Sequence, residues 1–131
     1  MAARSAIVVA VTRRAAQGFD AFEVVRDVAR AWADVEAGTK YDGSPVLTCH
    51  RCFMAGVAMH PSAEPDTLIT RIDSEARLSL LDEAAETYYV TDYYEPHPVV
   101  LARLSRLDRA ALSDLLAMAR RATLEKARSR R

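Results

Sequence analysis

The chain has 131 residues, of which 50% are apolar and 27% charged, with only four glycines and five prolines; that profile excludes a disordered or collagen-like polymer. A chain of this length buries roughly two-thirds of its unfolded surface, so one core is expected and no second domain. A net charge of zero excludes a uniformly cationic surface: residues 31 to 100 carry four basic and twelve acidic side chains, a net of minus eight, whereas residues 101 to 131 carry nine and three. Any polyanion-binding surface must therefore be local.

The first apolar run, Ala6 to Val11, is six residues long and is followed by Arg13 and Arg14, too short for a membrane span or a signal-peptide core. A cytoplasmic location with reduced thiols is the expectation. Residues 1 to 18 are expected to form an N-terminal arm or an extra strand ahead of a single domain over 19 to 125. Asp20 with Glu23 three residues later predicts a capping box. The helix it starts carries Val25, Val28, Trp32 and Val35 on one face and is expected to end near Ala37 and Gly38.

From Lys40 the pattern changes to turn chemistry and then to period two. The segments "VLT" and "FMA" predict a hairpin turning at His50 and Arg51, with Phe53, Ala55, Val57 and Met59 on one face. After the loop "HPSAEP", Leu68, Thr70 and Ile72 share one face of a further strand. Asp73 or Ser74 can cap a short helix, and "TYYVT" and "PVVLARL" read as two more strands. Asp108 caps a final helix in which Leu112, Leu115, Leu116 and Ala119 form an apolar stripe, and residues 126 to 131 are expected to be a fraying basic tail. The fold class expected is α+β: a single antiparallel sheet of about five strands packed with an N-terminal and a C-terminal helix.

The two cysteines, Cys49 and Cys52, have the spacing of redox and zinc motifs. At a hairpin they form a hydrogen-bonded pair with Cα atoms about 5.5 Å apart, but a turn lacks the helix N-terminus that activates a redox thiol. Zinc needs four ligands, and His50, His60 and His97 follow no ligand spacing, so neither a metal nor a cofactor is expected. No GxSxG elbow, glycine-rich phosphate loop or HExxH helix is present, and the chain is not expected to be an enzyme. The most unusual patch is "TYYVTDYYEPHP", Thr87 to Pro98, with four of the five tyrosines. Such rings can stack on bases when cations flank them, but alternating Tyr and Val fit better a strand that buries one ring and rims the core with the next, and Asp92 and Glu95 repel phosphate.

The stretch "YYVTDYYEPHPVVLARLSRLDRAALSDLL", Tyr88 to Leu116, resembles the MmcQ/YjbR family, with Thr91, Tyr94, Pro98, Leu101 and Leu104 in that family's characteristic places. Upstream, "VEAGTKYDGSPVL" and "AEPDTLITRIDSEARLSLL" resemble its first strand and its central strand and helix, so the likeness spans about residues 22 to 121. The resemblance implies a compact double-wing α+β fold and DNA binding, a role assigned to the family by fold analogy. Glu95 and Pro96 stand where the family often has a basic residue and a glycine.

With the basic end of the chain, the resemblance makes Lys40, Tyr41, Arg51, Tyr93, Tyr94, His97, Arg120 and Arg121 the nucleic-acid-binding candidates. DNA is the expected partner. A protein partner or a homodimer docking on an exposed sheet face is the competing expectation, favoured by the acidic middle, and no membrane partner is expected.

Overall fold

The computed structural model describes residues 14–129. Helix α1 spans Arg14–Ala29, followed by β1 (Val35–Thr39), β2 (Pro45–Cys49), β3 (Cys52–Val57), β4 (Thr67–Arg71), α2 (Ser74–Glu83), β5 (Tyr88–Tyr89), β6 (Val99–Arg103) and α3 (Arg109–Ser129). The fold is α+β, with one antiparallel sheet in the order β1-β2-β3-β4-β6-β5. It has six strands rather than the expected five.

The extra strand is β1, a segment assigned from sequence to the first helix. That helix ends at Ala29, passes through single turns at residues 30 to 32, and lets Val35–Thr39 pair with β2 from Val35↔Cys49 to Thr39↔Pro45. Trp32 and Val35 still pack against the core, so their helical phase misleads about backbone while being right about burial. The helix also starts earlier, and Asp20 lies inside it rather than capping it. Of the proposed N-terminal arm, residues 14 to 18 are helical and 1 to 13 lie outside the described residues, as do 130 and 131 of the basic tail; Lys126 to Ser129 continue α3.

The β2–β3 hairpin turns at His50 and Arg51 with φ of 51° and 67°, the left-handed pair of a type I′ turn, and Cys49 opposes Cys52 as expected. A bulge interrupts this pair. Leu47 faces Ala55 but Thr48 faces Phe53, so Met54 is an extra residue. It moves Phe53 out of phase with Ala55 and Val57: Met54, Ala55 and Val57 join the main core, while Phe53 lines the opposite face. Met59, expected with them, is exposed. On that opposite face Gly56 lies against Phe53; a Cβ at Gly56 would approach Phe53 Cε1 and the Pro45 carbonyl to 3.3 Å.

Helices α1 and α3 cover one face of the sheet. Phe22, Val25 and Val28 of α1 and Leu112, Leu115, Leu116 and Ala119 of α3 meet Leu47, Leu68, Ile72 and Val100 in a single core. Asp108 Oδ1 accepts from the Ala111 amide at the start of α3, and Asp73 Oδ1 accepts from the Ala76 amide at the start of α2, both at 2.8 Å. The other face carries a smaller cluster in which Tyr94, Val99 and Leu101 are buried with Ile69 and Tyr89 packed against them. Among the described residues no helix is long and apolar enough to cross a membrane.

Candidate nucleic-acid interface

Antiparallel pairing decides which candidates can act together. Lys40 and Tyr41 lie in the β1–β2 turn, and Arg51 lies at the β2–β3 tip, so the length of β2, five residues and roughly 17 Å, separates them. Tyr41 is fully exposed. Beside Lys40, the Asp42 carboxylate accepts from the Ser44 amide and hydroxyl, which hold its pKa below the ordinary value. Arg120 is also set apart: its Nε and Nη2 donate to the two carboxylate oxygens of Asp34 at 2.9 and 2.8 Å.

Arg51, His97 and Arg121 lie toward the end of the sheet where β3 begins, β4 ends and β6 begins, whereas Tyr93 and Tyr94 lie over the outer face and reach His60, beyond the other end of β3. Arg71 ends the core strand β4, and Arg121, Lys126 and Arg128 project from α3 beside it, around a cleft of about 670 Å³. Two acids share the cleft. Asp73 is occupied as the cap of α2, and Glu125 accepts from Arg128 at 3.1 Å. Four cations against two engaged carboxylates leave this cleft locally basic within a chain of zero net charge.

The cleft opens onto an aromatic ledge. Tyr93 stacks on His60 with ring centroids 3.5 Å apart and planes 10° from parallel, while Tyr94 stands edge-on to both. Tyr94 is buried; its hydroxyl accepts from the His60 amide at 3.1 Å, and burial pushes its phenol pKa up. Tyr93 stays 52% exposed, which leaves half its surface available to a ligand, with His97 tilted 6.3 Å away. A recess of about 310 Å³ separates these rings from Phe53 and Ile69, and Arg71 and Pro98 line both it and the basic cleft. The Arg71 Nε donates to the Phe53 carbonyl at 2.8 Å, which fixes the guanidinium between the two hollows.

The ledge loop is held from beneath by Arg77 of α2. Its Nη1 donates to the carbonyls of His97 at 2.8 Å and Val99 at 3.0 Å, and its Nη2 to that of Glu95 at 3.2 Å. The Glu95 carboxylate lies 3.7 Å from the same guanidinium, so this acid is paired. Of the residues proposed from sequence, Tyr93, Tyr94 and His97 line the recess and Arg121 lines the cleft. Sequence reasoning did not assign His60, Arg71 or Arg77 to the site, because their partners are 18 to 34 residues away in sequence and carry no local spacing. The Arg121, Glu125 and Arg128 spacing of four and three, which places all three on one side of α3, was a signal for the cleft.

At the hairpin, Cys49 and Cys52 are both buried. Burial, reinforced by the Asp34 carboxylate, holds the Cys49 thiol above its ordinary pKa, the opposite of an activated redox thiol. The ligand atoms of Asp34, Cys49 and His50 nevertheless all lie within 4.8 Å of one another. Asp34 is the member that sequence spacing could not supply, since it reaches the hairpin from the link between α1 and β1. No family model matches the chain, and no curated protein or solved structure matches it.

Proposed function

We propose that the chain is a small cytoplasmic, non-catalytic protein of the MmcQ/YjbR-like, double-wing kind that binds nucleic acid, with a preference for single strands. The observation that carries this reading is the continuity of basic cleft and aromatic ledge through Arg71 and Pro98. Cations track phosphates, and an exposed ring such as Tyr93 offers a face on which an unpaired base stacks. Arg51, at the same end of the sheet, adds a cation beside this path, and Lys40 and Tyr41 play no part in it. Burial of Tyr94, Val99 and Leu101 on the outer face leaves less bare sheet for a protein partner to cover.

Fluorescence anisotropy with labelled single strand and duplex tests the reading. Phosphate contacts from the four cleft cations release condensed counterions from a single strand and set a slope of log affinity against log salt of about −3, which Arg51 as a fifth contact would steepen to about −3.5. Tyr93→Ala is expected to remove one stacked base, about 1–3 kcal/mol, and Arg121→Ala with Lys126→Ala to flatten the slope by roughly 1.4. Absence of binding at low salt sinks the proposal. A partner captured from solution that survives high salt would instead favour a protein complex or a second copy of the chain.

A further inference from the structure

We propose that Asp34, Cys49 and His50 bind one divalent ion of the zinc class at the tip of the β2–β3 hairpin. Two backbone segments converge there: the link entering β1, with Asp34, and the β2–β3 hairpin, with the consecutive residues Cys49 and His50. They bring a thiol sulfur, an imidazole nitrogen and a carboxylate oxygen within 4.8 Å of one another. That spacing lets one tetrahedral ion touch all three after side-chain adjustments alone, because metal–ligand bonds of about 2.0–2.3 Å put neighbouring ligand atoms under 4 Å apart. A mixed sulfur, nitrogen and oxygen set matches zinc's borderline softness and is a poor match for calcium or magnesium, which take oxygen ligands.

The environment supports the same reading. The His50 backbone sits at φ 51°, where glycine or asparagine would be at ease, and from there its Nε2 lies 3.9 Å from Asp34 Oδ2. Arg120 donates to both Asp34 oxygens, yet each carboxylate oxygen has a second lone pair, so this contact orients a ligand in the way second-layer hydrogen bonds commonly do. A thiolate and a carboxylate supply two negative charges to the ion, and the Arg120 guanidinium adds one positive charge beside them. Binding displaces the Cys49 thiol proton to solvent, and three protein ligands leave the fourth position for a water.

The test is titration of the full, reduced chain with Co²⁺, which reports zinc-type geometry by its absorbance. Saturation at one equivalent is expected, with a near-ultraviolet thiolate-to-cobalt charge-transfer band and the visible bands of a tetrahedral ion, all abolished by added Zn²⁺. Cys49 is buried and its replacement risks the fold, so His50→Asn, which accepts the same turn conformation, carries the comparison. It should weaken cobalt binding at least about tenfold and remove the rise in melting temperature that Zn²⁺ gives the unaltered chain. No thiolate band, or identical titrations for His50→Asn and the unaltered chain, overturns the proposal.

Discussion

Replacing Arg51 with glycine should stabilise the protein, although the change deletes a long side chain. Arg51 holds φ at 67°, where a residue with a Cβ pays about 1–2 kcal/mol against a right-handed conformation. Its guanidinium is exposed and has no ion pair or hydrogen-bond partner among the described residues, so little is lost with it. Glycine widens the unfolded ensemble by about 0.4–1 kcal/mol, leaving a net gain of about 0.5–1 kcal/mol. With a urea slope near 2 kcal/mol per molar, the midpoint should rise by about 0.3–0.5 M at unchanged slope. A midpoint that falls would refute the reasoning, and would mean that the arginine stem packs in solution or that the turn is not left-handed at this position.

Three further measurements probe other contacts. The Arg120 hydrogen bond lowers the Asp34 pKa below its unfolded value, so the pair's stabilisation is fully present above about pH 4 and is lost as pH falls through the folded-state pKa. Asp34→Asn should lower the urea midpoint at pH 7 and lessen its fall in acid. Tyr94→Phe leaves the His60 amide without its acceptor and should cost about 0.5–1.5 kcal/mol in urea unfolding, with no comparable change from Tyr93→Phe. Leu101→Ala, at a side chain with no exposed surface in the outer-face cluster, should cost about 2–5 kcal/mol by the same assay.

The strand periods, the type I′ turn and the stripe of α3 were readable because each is a local pattern whose physics is settled within a few residues. Asp73 and Asp108 cap their helices as read. The errors came where distant parts of the chain decide. Trp32 and Val35 continue the helical phase of Val25 and Val28, and only pairing with β2 turns Val35–Thr39 into an edge strand; its mostly exposed side chains carry no alternation. Phe53 was assigned to the core face because a bulge adds one residue without a sequence mark, and every side chain before Met54 then changes face. The site divided in the same way. Tyrosine clustering marked the ledge, but its stacking partner His60 comes from the loop after β3 and the guanidinium linking it to the cleft from the end of β4.

Arg77 gives the ledge loop an unusual mechanical status. Helix α2 has no fully buried residue, yet it donates three hydrogen bonds through one side chain to the backbone of Glu95, His97 and Val99. The ledge is therefore latched by one side chain as well as packed through Tyr94, and the latch comes from a helix that reaches the cleft only through its Asp73 cap. A charge-removing change at Arg77 would act as a release: the core would keep its order while the distance between stacking ring and cleft cations became variable. Under the proposed function, this would cost the registry between stacked base and phosphate while each contact group stayed intact.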